Sequence, residues 1–415
     1  MTAIRPLRAM AADLAHARRG GAFGDDERRA AERVVADVRR RGDVAVLRVV
    51  REFDAPDART ADLVADGATL RRAARGVSRD VRAALDLAHA RVRAFHETQR
   101  PRPMGRRDAA TVVRLVPTPL RRVGALVPRG ATAYPSTALM TGVPARVAGV
   151  RELVVASPMG AGRDIDPALA YALVLVDADA LYRAGGAAAV AALAYGTASL
   201  ARVDKIVGPG NAYAAAAKWL VSADVGIDAL QGPSELIVVA TDDADPDALA
   251  LDLLAQAEHG SGAFAALVSP SMPLLRAVAD GLDAKRQAAL ARRITLYHGP
   301  SARLAALAAS DAAPEHVLLA GRRAAALAHL VDRAGAVFVG ELSAVAFGDY
   351  VAGTNHCLPT GGTARWSSAL RVDDFVRWTS RAELRGDVRR LARAGATVAR
   401  HERMRYHAES MEARG

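Results

Sequence analysis

The chain has 415 residues, 51% of them hydrophobic and 24% charged, and a formal net charge of +11. That length and apolar content predict about two or three globular domains with substantial cores, and no apolar run approaches the roughly eighteen residues of a membrane span. The charge excess is almost all arginine, with Lys205, Lys218 and Lys285 the only lysines, scattered singly or in doublets among acids; lacking a basic block or an aromatic stacking surface, it argues against a nucleic-acid partner.

A single cysteine, Cys357, excludes an intrachain disulfide. The N-terminal stretch has no apolar core before a cleavage site, and both features fit a cytoplasmic protein. From about residue 24 to 100 the pattern is helical: DDERRAAERVVADVRRRGDVAVLRVVREFD and VSRDVRAALDLAHARVRAFHETQR are both amphipathic. His89 and His96 in the second run read as packing or surface residues. PRPMGRRD then breaks the helices.

From Thr111 strands and helices alternate. Two β-branched runs in TVVRLVPTPLRRVGALVPRG precede a turn and helix in GATAYPSTALMTGVPARVAGV. There follow strand RELVVASP, helix DPALAYALVLVDA, helix AAAVAALAYGT, strand KIVGPG, helix NAYAAAAKWLVS and the buried strand ELIVVATDD. Such alternation predicts an α/β fold with largely parallel sheets. The turn Val207 to Asn211 offers backbone N–H groups to phosphate, but it is an incomplete glycine fingerprint and equally a plain connection.

The helix DPDALALDLLAQAEHG opens at Asp245 or Pro246 and stops by Gly260. Gln256 and His259 are three apart, on one face at its end, where a cation meets the negative end of the helix dipole. An amide oxygen and an imidazole suit zinc, although an isolated pair is also an ordinary polar helix end. Strands FAALVSP, ITLYHG, HVLLA and GAVFVG follow, then the irregular block FGDYVAGTNHCLPTGGTARWSSALRVDDF and a polar helical tail.

Taken together, QAEH (256–259), PEH (314–316), GDYVAGTNH (348–356), Glu402 with His407, VPRGATAYPSTALM, VDKIVGPGNAYAAAAK and GPSE (232–235) resemble the histidinol dehydrogenase family over nearly the whole chain. The resemblance implies a zinc ion held by Gln256, His259, Asp349 and His407, an open donor set that leaves room for a ligand. It implies His316 as the base that takes the hydroxyl proton as hydride leaves for NAD, and Glu315 as the group that activates water on the aldehyde. Ser234, His356 and Glu402 match substrate contacts, and Asn211 a cofactor contact. The implied architecture is two Rossmann-like, doubly wound α/β domains with helical arms in an intertwined homodimer, the C-terminal arm completing the neighbouring site. The expected boundaries are an N-terminal arm (1–21), a discontinuous first domain carrying the zinc and catalytic residues (22–126 and 234–370), a second domain on the dinucleotide side (127–233) and a C-terminal helical arm (371–415).

Three positions depart from the family's pattern, all expected beside NAD. Leu126 stands where the family has Tyr, Arg129 where it has Gly, and Ala188 where it has Gln. Losing a hydroxyl and an amide removes hydrogen bonds typically worth about 0.5–1.5 kcal/mol each. Arg129 either obstructs the cofactor or supplies a cation for phosphate. The principal expectation is therefore zinc-dependent, NAD-linked oxidation of L-histidinol or a close amino alcohol through the aldehyde to the carboxylate. The alternative is a paralogue that keeps the metal and acid–base groups but has lost or altered cofactor use, acting on another substrate or without redox chemistry.

Overall fold

The computed structural model describes residues 3–130, 132–260, 262–285 and 287–415. Met1 and Thr2 of the expected arm and Ala131 of the VPRGATAYPSTALM run lie outside them. The chain forms two compact units, residues 1–99 with 120–375, and residues 100–119 with 376–415. Among the described residues no helix is long and apolar enough to cross a membrane.

The larger unit holds two six-stranded sheets. The first is parallel throughout, ordered Ile4–Pro6, Ile294–His298, Phe264–Ser269, Glu235–Ala240, His316–Ala320, Ala336–Val339. From its central strand Glu235–Ala240 the chain winds outward through 264–269 and 294–298, then crosses to 316–320 and 336–339. Three of these strands are buried along their whole length, because helices cover both faces. Leu236, Val238, Leu267 and Leu318 pack against Leu249, Leu253 and Leu275 on one face. Ile237, Val239, Val268 and Val317 meet Met10, Leu14, Ala305 and Ala309 on the other. The alternation is the two-residue period of a strand.

The second sheet is ordered Val64–Asp66, Ala180–Tyr182, Glu152–Ala156, Arg122–Leu126, Lys205–Val207, Gly226–Ile227. Only its first strand runs antiparallel to its neighbour. The winding is the same: outward from 122–126 through 152–156 and 180–182, then across to 205–207 and 226–227. The expectation of two doubly wound domains holds.

Three boundaries are corrected. Residues 25–66 and 122–126, expected in the first domain, belong to the second sheet: the apolar faces of Asp25–Arg41 and Asp43–Phe53 (Ala31, Val35, Val46, Val50) share one core with Val154, Tyr182, Leu193 and Ile206. Residues 4–17, expected in an arm, instead supply the edge strand Ile4–Pro6 and core residues Met10 and Leu14 of the first sheet. The tail expected as helical from 371 contains the strand Val376–Leu384, paired along its length with Thr111–Pro119. With Met104–Arg107 these strands form the three-stranded antiparallel sheet of the smaller unit, followed by helices Arg389–His401 and Arg405–Glu412 around Ala396, Ala399 and Ala408.

One predicted helix is two. Gly42 adopts φ 55° and ends Asp25–Arg41 before Asp43–Phe53 begins, a conformation that costs glycine least. The Ser78 hydroxyl caps the next helix, Arg79–Glu97.

Candidate active site

The polar groups of the first sheet converge at the amino ends of its central strands. Ser234 and Glu235 open one strand, while Glu315 precedes and His316 opens its neighbour; Leu236 pairs with His316 across the ladder. This register brings together groups of four residues that lie some eighty positions apart in sequence. Ser234 Oγ donates to Glu315 Oε2 at 2.5 Å, and the Glu235 N–H donates to the same oxygen at 3.0 Å. Gln256, buried on the last turn of Pro246–Ala257, donates from Nε2 to Ser234 Oγ at 2.9 Å.

His316 Nδ1 lies 3.2 Å from the Glu235 carbonyl oxygen and 3.4 Å from Glu315 Oε2. Both are acceptors, so Nδ1 carries the proton and the lone pair is on Nε2. Burial opposes charge on both residues. It pushes the Glu315 carboxyl up to about 7, against the hydrogen bonds from Ser234 and Glu235. It holds His316 down at about 4, against the attraction of Asp349 and the Glu235 carbonyl. Near neutrality His316 is therefore neutral, while Glu315 lies close to the middle of its titration.

The irregular block after the last parallel strand carries Asp349 and His356. Asn355 fixes it from within: its Nδ2 donates to the Met140 carbonyl at 2.6 Å and its Oδ1 accepts from the Cys357 N–H at 2.8 Å. His356 is thereby held with Nδ1 3.1 Å from the Asp349 carbonyl oxygen and Nε2 3.2 Å from Thr137 Oγ1. Burial lowers His356 to about 4. Thr137 opens the helix Pro135–Ala148, so the carboxyl side of the second sheet meets this site. The sequence reading missed Thr137; the hydroxyl run PST is a weak signal for it.

The expected metal donors divide between the units. Gln256, His259 and Asp349 belong to the larger one. His259 is exposed in the turn just past the helix, not on the helix itself, its N–H donating to the Gln256 carbonyl at 3.3 Å. Asp349 is pushed up to about 6 by burial, with Glu315 adding to it; among the described residues no hydrogen-bond donor reaches its carboxylate, and His356 Nδ1 stands 4.0 Å away. His407 and Glu402 are exposed residues of the smaller unit, His407 on Arg405–Glu412 and Glu402 capping Arg389–His401. Among the described residues no three His, Cys, Asp or Glu side chains are grouped to hold a metal. The larger unit thus carries an amide, an imidazole and a partly exposed carboxylate, donor types whose chemistry fits zinc once further donors join them.

The crevice where the second sheet reverses its winding is lined by the segments after its strands. Leu126 is buried at the end of its strand, and Gly208, with φ 96°, passes so close that a Cβ there would stand 2.5 Å from the Leu126 carbonyl oxygen. The Arg129 guanidinium is half-buried over Gly160 and makes no ion pair among the described residues. Ala188 is buried inside Gly186–Tyr195. Asn211 Oδ1 caps Ala212–Val221 by accepting from the Ala214 N–H. The Gly208 N–H, considered for phosphate on sequence, donates to Asp228 Oδ2 at 2.7 Å. Asp228 in turn pairs with the buried Lys218, which also donates to the Gly208 carbonyl and to Gln231 Oε1. Cys357 is buried and its thiol raised far above its usual range, so it is no nucleophile.

The sequence profile of histidinol dehydrogenase matches residues 18–415. The histidinol dehydrogenase of a Synechococcus species is 40% identical over 92% of this chain and 90% of its own length. That of Natronomonas pharaonis is 41% identical over 94% of each. A crystal structure of histidinol dehydrogenase from Elizabethkingia anophelis superposes with a TM-score of 0.92 at 27% identity, covering 100% of this chain and 97% of that one. With match and geometry both spanning the fold and the site, the chain belongs to the histidinol dehydrogenase family.

Proposed function

We propose that the protein oxidises L-histidinol through the aldehyde to L-histidine, with NAD as hydride acceptor and zinc as the bound metal. The observation that carries this reading is the buried pair at the first sheet's amino edge, where Glu315 Oε2 gathers Ser234 and Glu235 and lies 3.4 Å from His316 Nδ1. His316 Nε2, neutral near pH 7, accepts the hydroxyl proton as hydride departs. Glu315, poised near neutrality, takes a proton from the water that adds to the aldehyde before the second hydride transfer. Ser234, His356 and Glu402 orient the substrate. Gln256, His259, Asp349 and His407 hold the zinc. The metal, when bound, supplies a Lewis-acidic anchor for the substrate's nitrogens.

Asn211 contacts NAD in the crevice of the second sheet. Two subunits form the enzyme, each lending Glu402 and His407 to the other's site, which accounts for the incomplete donor set of the larger unit. It works in the cytoplasm, in histidine biosynthesis. The paralogue with altered cofactor use is not favoured, since relatives of about 40% identity over nine-tenths of the chain carry the histidinol dehydrogenase name.

The test is NADH formation by zinc-loaded protein given L-histidinol and NAD. Turnover that disappears in the His316→Ala variant supports the reading. Absence of turnover with zinc still bound rejects it.

A further inference from the structure

The Glu315–His316 pair is gripped from a distance by the N-terminal segment. Both main-chain groups of Glu235 face the pair, its N–H donating to Glu315 Oε2 and its carbonyl oxygen accepting from His316 Nδ1. The Glu235 side chain is itself buried, 3% exposed, and hydrogen-bonds to neither, although its negative charge favours the protonated form of both. Arg18, just past the helix Met10–Ala17, holds that carboxylate in a fork, Nε to Oε1 at 2.6 Å and Nη2 to Oε2 at 2.7 Å. Its remaining nitrogen, Nη1, donates to the Ala312 carbonyl at 2.9 Å. Ala312 ends the helix Ala302–Ala312, which passes through Ala313 and Pro314 directly into Glu315. One guanidinium therefore ties the strand that carries Ser234 and Glu235 to the segment that delivers Glu315 and His316.

We propose that Arg18 is a positioning residue for the acid–base pair, setting its geometry through Glu235 and Ala312. The inference rests on the reading of Glu315 and His316 as proton-transfer groups. Lysine cannot replace this arrangement, because a point charge does not reproduce a planar fork with a third donor aimed elsewhere. Neither Arg18 nor Glu235 need touch the substrate. Their effect is on the placement of groups that do, where a displacement of about 1 Å costs about 100-fold in rate.

The surroundings of Arg18 allow a direct test. A cavity of about 360 Å³, lined by Arg18, Gly232, Pro233, Glu235, Phe264 and Thr360 among others, adjoins the guanidinium. In Arg18→Ala the vacated space joins this cavity, and a guanidinium ion from solution has room to enter beside Glu235. Full-length, zinc-loaded wild type, Arg18→Ala and Arg18→Lys are compared on L-histidinol and NAD, with zinc content and Tm measured alongside. The expected result is a fall in kcat of about 10–100-fold in both variants, with KM for histidinol and zinc content near wild type. Millimolar guanidinium restores part of kcat to Arg18→Ala and leaves wild type unchanged. A lowered Tm with wild-type kcat, a kcat loss that tracks zinc loss, or an Arg18→Ala variant unresponsive to guanidinium each overturns the proposal. Should Arg18→Ala fail to fold, Arg18→Lys decides: wild-type kcat overturns, lowered kcat at unchanged KM supports. A wild type inert toward histidinol overturns the functional reading and this inference together, whereas an active wild type beside an equally active variant overturns this inference alone.

Discussion

The two six-stranded sheets are wound alike but carry different polar groups at their edges. In the second, glycines 185, 208 and 210 let neighbouring segments pack closely at the carboxyl edge, where the Gly208 N–H donates to Asp228 and the half-buried Arg129 brings a positive charge that is felt by Asp54. In the first, the corresponding edge is filled by the chain's own carboxylates. Glu341 accepts from the Asp245 N–H at 2.7 Å and the Gly321 N–H at 3.2 Å, and Asp243 accepts from Thr241 Oγ1 and the Arg322 N–H. The Asp245, Gly321 and Arg322 N–H groups at that edge are thus satisfied by carboxylates. The first sheet gathers its buried hydrogen-bonded cluster at the amino edge instead, at Ser234, Glu315 and His316. Winding alone does not decide what an edge offers; the side chains placed there do.

The sharpest break of this contrast is at the amino edge. His316→Ala should lower kcat by about 10²–10⁴-fold with zinc content retained, read in steady-state turnover; a near-wild-type kcat would move the reactive edge elsewhere. Next is the clamp beneath the second crevice. Lys218→Met leaves Asp228 charged and buried, and should destabilise by about 3–5 kcal/mol in denaturant unfolding. Pairing it with Asp228→Leu should recover much of that loss, and no recovery would mean that packing, not charge, is at stake.

A third effect is pH-dependent. The folded-state pKa of Glu315 is raised from 4.5 to about 7, so the stability this group contributes is fully present below about pH 4.5 and is lost as pH rises through about 7. Above that the cost is on the order of 3 kcal/mol. In metal-free protein, Glu315→Gln should therefore gain stability over wild type between those values; parallel stability–pH curves would refute the assignment. Smaller still is Arg129→Gly, expected to weaken NADH binding about three- to tenfold in fluorescence titration, whereas tighter binding would show that the guanidinium obstructs the crevice. The smallest change is expected of Glu341→Gln. It should cost about 1 kcal/mol of stability and leave NADH affinity unmoved, as befits an edge that does not bind the cofactor.

Much of this contrast was readable from sequence where a local pattern sufficed. ELIVVA, FAALVS and HVLLA are apolar on both faces and became strands covered on both sides; Asp245 became the cap of the helix that ends in Gln256. Elements that depend on a distant partner were not readable. Ile4–Pro6 and Val64–Asp66 are three residues each, too short to show a period, and exist as strands only because a sheet edge accepts them. The amphipathic face of Asp25–Arg41 announces burial but not against which sheet. Arg18 and Glu235 are 217 positions apart, and nothing in the spacing of either predicts their pairing. Arg129 was legible as a departure, yet its place over Gly160 depends on a turn no pattern fixes.

The pairing of Thr111–Pro119 with Val376–Leu384 bears on how the molecule comes into being. During synthesis the first strand emerges with Met104–Arg107 as its only neighbour, and its other side stays unpaired until the second is made. Such a long-range closure is slow, and an open edge is an invitation to wrong partners. All of the larger unit's sequence, residues 1–99 and 120–375, has by then been made, so the smaller unit's sheet can close only after the larger unit is complete in sequence.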